Sequence, residues 1–462
     1  MKFDRLEQFA GKFPEYMEIR AQENTSTGIN MLNGNIVNNS RNAHNGVSAR
    51  VFKNGVWGFA STPETSPNAI NHITDRAVSN ARFLASKSPQ DINTALPSRP
   101  ASADNNLATI KPRLDRKGLI DFIKAIDDYC ITRFPALASR SIGLQCLDME
   151  KTLFTSYGTS AYSLIPRTIL YVSMTKMHND EPVDLYDVFG GLGQFEDVFL
   201  KSQDLYVQLD ALADALEKKA KGVYAKAGTH YVVLGPDIAG ILAHEAIGHT
   251  VEADLVMGGS VAADMMGQQV AGPLISMVDF AHTAMGKTCP VPLWIDDEGI
   301  QAQDAVLIDK GVLKSYMHNK FSAQRFNAEP TGNARAYGFY DEPLIRMRNT
   351  AILPGTSKLQ DMIASIDNGY YFIRSSNGQA DSTGEFMFGV VKGHEIKNGK
   401  IADAIRDTTI SGVAFDMLKT VTAVSDDMVW TSGGMCGKKQ AIPTGMGGPA
   451  IRCRINVGGR AE

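Results

Sequence analysis

His230-Tyr-Val-Val-Leu-Gly-Pro-Asp-Ile-Ala-Gly-Ile-Leu-Ala-His-Glu-Ala-Ile-Gly-His249 changes the texture of the chain. His230–Leu234 is a compact apolar run with the length and β-branching of a buried strand. Gly235-Pro236-Asp237 turns the chain, and Ile238–Leu255 has the composition of a helix. Inside that helix His244, Glu245 and His249 interrupt an otherwise apolar sequence. Burying three polar side chains is costly unless they are paired or coordinated, so the cluster points to a metal. The bland alternative is a core helix that contains two packed histidines.

Spacing sharpens the question. Helix residues advance ~100° each, so side chains four apart sit only ~40° apart in azimuth. His244 and His249 are five apart, and an unmodified α-helix would splay them by roughly 140°. Both rings reach one ion only where the helix widens or breaks. A π-bulge supplies the widening, and Gly248 is the expected place for the distortion. Two histidines are an incomplete set, because catalytic zinc usually takes three protein ligands and keeps one position open. Glu252 and a distant thiolate are the candidates. Cys436 lies in the Gly-rich stretch Gly433–Lys438, where lysines 438 and 439 would favour a thiolate.

Outward from this stretch, the N-terminal part is rich in hairpin signals. Asn33-Gly34 and Asn54-Gly55 each separate strand-like runs, namely Gly28–Leu32 from Ile36–Asn39 and Val47–Phe52 from Val56–Ala60. Ser66 and Pro67 open a helix as N-cap and first helical residue. Residues 87–113 read as a linker or long surface loop. Helices follow over about 115–134 and about 203–220, with strands across 140–190. Beyond 290 the signal is mostly short strands, with another hairpin at Asn398-Gly399. The expected organisation is an α+β N-terminal domain over 1–100, a central α+β region over 101–225 and a C-terminal domain over 226–462 that carries the metal-binding helix.

Composition excludes other classes. The 462 residues are 44% hydrophobic and 21% charged, which suits a globular protein with sizeable cores. A net charge of -4 without any basic block argues against nucleic acid or an anionic membrane as partner. No run of ~18–20 apolar residues spans a bilayer, and the charged start lacks a secretory h-region. Five scattered cysteines read as reduced thiols of a cytoplasmic protein.

HEAIGHTVEAD, with its H-E-x-x-x-H spacing, resembles the hallmark of the TldD/PmbA metallopeptidases, specifically the TldD-like branch. Further matches run in the family's order: Asp296-Asp297-Glu298-Gly299, Thr331–Arg335, Arg346–Thr350, Asp381–Phe386, Asn398–Lys400 and Met435–Lys438. The resemblance implies an α+β N-terminal half and a C-terminal domain built mainly of antiparallel sheet, and one divalent metal per chain, zinc, held by His244, His249 and Cys436, with Glu245 as general base. It implies peptide or unfolded-protein substrates, including microcin precursors and an antitoxin, cut inside a closed cavity. It also implies a homodimer, or a heterodimer with a motif-less paralogue. Two other classes compete: a non-catalytic partner or modulator of toxin–antitoxin or gyrase type on the same fold, and a hydrolase using Cys436 as nucleophile.

Overall fold

The structure is a computed structural model that describes residues 6–10, 14–87 and 100–459. It is an α+β protein whose N-terminal half is one large twisted sheet. Strands β1 (Tyr16–Leu32), β2 (Asn35–Lys53), β3 (Val56–Thr62), β4 (Ser102–Asn106), β5 (Ser139–Thr155), β6 (Ser160–His178) and β7 (Glu181–Leu192) build it. Their order is β3-β2-β1-β5-β6-β4, with β7 also on β6. Residue 100 therefore falls between strands of a single sheet. Both expected hairpins are present, with positive φ at Asn33 and Gly34 and at Asn54 and Gly55, as a type I′ turn requires.

The run Gly28–Leu32 belongs to a 17-residue strand, and Ile36–Asn39 and Val47–Phe52 belong to one of 19. Alternation along β1 explains how it stays in register. Met17, Ile19 and Ala21 face a core completed by Val47, Ala49 and the helix Pro67–Lys87 through Ile70, Ile73 and Ala77. Glu18, Arg20, Gln22 and Asn24 alternate with them and are buried too, because the C-terminal half covers the opposite face. Arg20 Nη2 donates to the carbonyls of Gly338 and Asp341, and the amides of Gln22 and Asn24 donate to Tyr337 O at 2.6 Å.

The helices begin where the sequence indicates. Ser66 Oγ accepts from Ala69 N, and Asp115 caps Arg116–Arg133 through Gly118 N. That helix and Tyr206–Ala220 pack on β5, β6 and β7 through Ile123, Ile126, Leu209 and Leu212 against Leu144, Leu170 and Leu185. Of the expected linker, 88–99 lies outside the described residues. Ser102–Asn106 is not loop but β4, parallel to β6. Its Ser-Ala-Asp-Asn-Asn composition carries no strand signal, and backbone pairing at the end of the sheet decides its conformation.

In the C-terminal half β8 (Gly228–Leu234) pairs with Ile451–Val457 and, in parallel, with Asn368–Ala380. The chain of pairings runs on through Thr408–Val413 and Glu385–Lys397 and returns to Asn368–Ala380, so this sheet closes on itself. A second sheet holds Met277–Phe280, Asn349–Ile352 and Gly445–Gly448. The motif helix lies between the two. Its Ile238, Leu242, Ala246 and Ile247 enter one core with Val232, Phe372, Phe388, Met277, Ile352 and Ile451. Helix burial on this scale fixes its rotation, and with it the direction of the site residues. Among the described residues no helix is long and apolar enough to cross a membrane.

Candidate metal centre

The motif helix departs from α geometry where the spacing demands it. Pro236–Leu242 is α-helical, Ala243–Gly248 is π-helical, and His249–Val251 tightens to a 3-10 turn. His249 N–H bonds His244 O, five residues back, in place of the carbonyl four back. The extra residue in that turn brings both imidazoles to one side, with ring centroids 5.2 Å apart. The expected helix to Leu255 ends earlier. Glu252 is extended, and a separate helix runs Ala253–Met257.

Gly248 works differently from expectation. Its φ of -55° and ψ of -47° are ordinary helical values. What it provides is space, since a Cβ there would meet Met347 Sδ at 2.1 Å. The widened turn is thus pressed against Met347, in the short connection between the strands Leu344–Ile345 and Asn349–Ile352.

Cys436 comes from the other side, on the two-residue strand Met435–Cys436 paired with Ile442–Pro443. Buried Arg346 holds that loop through its backbone, donating to Cys436 O at 2.7 Å, Lys438 O at 2.9 Å and Gln440 O at 2.8 Å. A flexible Gly-rich segment so gripped can present a thiol at a fixed point. Cys436 Sγ lies 3.4 Å from His249 Nε2, and one ligand atom from each of His244, His249 and Cys436 falls within 4.8 Å of the others. Bonds of 2.0–2.3 Å around tetrahedral zinc give an edge of about 3.6 Å.

These donors fit a zinc-like ion on an observation independent of spacing. His244 is fully buried, and neither ring nitrogen has a hydrogen-bond partner. A buried imidazole left so is costly, and coordination removes the cost. Two imidazoles and a thiolate also match the ligand preference of zinc.

Electrostatics favour a thiolate at Cys436. Burial alone would push the Cys436 thiol up, but the imidazoles of His244 and His249 outweigh it and hold it at about 4. For His249 burial acts downward, and the Glu252 and Cys436 charges raise it to about 10. Lys438 was expected to favour the thiolate directly. Instead its Nζ binds Asp254 at 2.7 Å and Glu252 at 3.1 Å.

Glu252, the alternative third ligand, takes another place. Its fully buried carboxylate lies 2.7 Å from His249 Nδ1, on the far side of the ring from Cys436. A carboxylate there fixes the tautomer and aims Nε2 at the site. Glu245 is about one quarter exposed, with Oε2 3.7 Å from His249 Nε2. It opens into a cavity of about 640 Å³ whose walls include Tyr186, Asp237, Arg374, Trp430 and Gly434. The charges that join the two halves, Lys151 with Asp297 at 2.6 Å and Arg50 with Glu298, were not anticipated. Their only sequence signal is the acidic run Asp296–Glu298.

Comparison with known proteins agrees with this architecture. Residues 227–459 match the PmbA/TldA metallopeptidase C-terminal domain, and residues 17–81 match domain 1 of the same family. The chain belongs to the TldD/PmbA metallopeptidase family. It is 32% identical to a metalloprotease of Methanocaldococcus jannaschii over 96% of this chain and 97% of that one. It is 28% identical to a zinc metalloprotease TldD homolog of Saccharolobus solfataricus, with 91% of each covered. Its fold matches a crystal structure from Thermotoga maritima MSB8, described as a suggested modulator of a DNA gyrase. The TM-score is 0.78 at 20% identity, covering 98% of both chains.

Proposed function

We propose that this chain is a peptidase that hydrolyses unfolded or small peptides, with His244, His249 and Cys436 holding one divalent ion, zinc, and Glu245 acting as general base. The observation that carries the proposal is the convergence of those three donors beside a carboxylate that opens into a cavity. The ion, when bound, supplies Lewis acidity that makes water nucleophilic near neutral pH. Glu245 accepts the proton of the attacking water as its oxygen bonds the peptide carbonyl carbon. It then delivers that proton to the amide nitrogen as the C–N bond breaks. Glu252 orients His249, Lys438 compensates Glu252, and Arg346 fixes the Cys436 loop.

The intact set favours catalysis over a silent binding role, which would not require all four residues. A Cys436 nucleophile is less favoured, because Cys436 is fully buried and is not among the residues that line the cavity beside Glu245. All five cysteines are unpaired, as suits a cytoplasmic protein. Action as a homodimer, or with a motif-less paralogue, belongs to the same proposal.

Glu245→Gln tests it. The variant should keep its metal and lose ~10²–10⁴-fold in peptide cleavage, the usual worth of a positioned base. Retained metal with near wild-type cleavage would remove Glu245 from that role. Loss of both together would make it a ligand or a support.

A further inference from the structure

A second cavity, of about 310 Å³, lies between the first sheet and the Gly-rich loop that carries Cys436. It shares Tyr171, Gly433 and Met435 with the cavity that Glu245 lines, so the two are neighbours along one loop. No Asp or Glu lines it among the described residues, and its one charged side chain is Arg167 of β6.

Arg167 is only 7% exposed. Its Nη1 donates to Gly434 O at 2.9 Å, while its Nε is buried without a hydrogen-bond partner. Among the described residues no carboxylate forms an ion pair with it. Burial pushes the guanidinium down to about 10, with Tyr171 alone acting against that, so it remains charged at neutral pH. Among the described residues Arg348 is matched by Asp279 at 2.8 Å and Lys151 by Asp297 at 2.6 Å, while Arg346 and Arg335, which have no carboxylate partner, donate to three and two carbonyls against the single carbonyl that Arg167 reaches. A buried charge without a partner is costly, and an anion entering the cavity would offset the cost. The planar fork of a guanidinium favours a carboxylate in particular.

Position gives the anion a place in the reaction. Gly434, which Arg167 holds, is two residues from Cys436, so their Cα atoms are within ~7 Å. An extended peptide covers that span in about two residues. We propose that Arg167 receives a carboxylate of the peptide substrate, either its C-terminus or an Asp or Glu side chain, a few residues from the scissile bond. This rests on the peptidase assignment above and narrows it to a substrate class.

The experiment measures binding of labelled peptides to the metal-loaded Glu245→Gln protein, which keeps Arg167. Three peptides share one sequence: a free C-terminal acid, its amide, and an amide with Asp near the end. Hydrogen bonds to a charged group of this kind correspond to about 10- to 100-fold, so the acid should bind that much tighter than the amide. Recovery of tight binding by the Asp-bearing amide assigns the carboxylate to a side chain. Tight binding of the free acid alone assigns it to the chain end. Adding Arg167→Gln should abolish the acid-over-amide preference. Equal binding of all three peptides, a preference that survives Arg167→Gln, or no binding of any peptide would overturn the proposal. Because the acid–amide comparison uses intact Arg167, misfolding of that variant does not spoil it. Cleavage by the wild type is followed separately. Discrimination without cleavage would count against the peptidase assignment, and cleavage without discrimination against Arg167.

Discussion

Glu252→Gln is the most informative single change at the centre. The native carboxylate is fully buried, 2.7 Å from His249 Nδ1 and 3.1 Å from Lys438 Nζ. Gln keeps the size and one accepting oxygen but removes the charge, so the contact to His249 becomes a neutral hydrogen bond. Charge-assisted bonds are worth about 1.5–3 kcal/mol and neutral ones about 1 kcal/mol, so part of the orientation of Nε2 is lost. Carboxylates behind a metal-binding histidine typically contribute 10–100-fold to metal affinity, or about 1.4–2.7 kcal/mol. Lys438 still has Asp254 at 2.7 Å, so the loop keeps its anchor and the fold should survive. Chelator competition on purified protein measures the metal Kd, and thermal unfolding checks the fold. A metal Kd unchanged within threefold in a folded variant would refute the role assigned to Glu252. Complete loss of metal would make it a ligand instead.

Gly248→Ala should weaken metal binding and destabilise the fold by about 1–3 kcal/mol from overpacking against Met347, offset in part by the better helix propensity of Ala. Trimming Met347 to Ala in the same chain should recover metal binding, and denaturant titration of the single and double variants measures the coupling. His318 gives a pH test. Burial lowers it from 6.5 to about 4, so the folded chain leaves it neutral where the unfolded chain binds a proton. Its contribution is fully present above about pH 6.5 and is lost as pH falls through about 4, up to roughly 3 kcal/mol. His318→Gln should therefore lose less stability than wild type between pH 7 and pH 4 by urea unfolding; equal losses would contradict this.

The parts of the fold legible in the sequence were those with local causes. Asn-Gly turns need positive φ, Ser66-Pro67 meets the chemistry of a helix start, and His244 and His249 five apart demand a widened turn. The rest depends on partners distant in sequence. Residues 40–46 carry no strand signal because Asn35–Gly46 pairs only with β1 and is largely exposed, so neither face needs apolar residues. Exposed edges are commonly polar. β1 hides its length because its second face buries charge against the C-terminal half. At the centre, the residue types were readable and their geometry was not. Nothing near Gly248 announces Met347, nothing near Glu252 announces Lys438, and Arg167 has no local sign that it would grip the loop of Cys436.

Metal content is the most direct test of the account. Elemental analysis of purified wild type should find one divalent ion per chain, zinc, and His244→Ala and Cys436→Ala proteins that still fold should have lost it. Wild type with no affinity for zinc, or full metal retained in both variants, would contradict the site at its root.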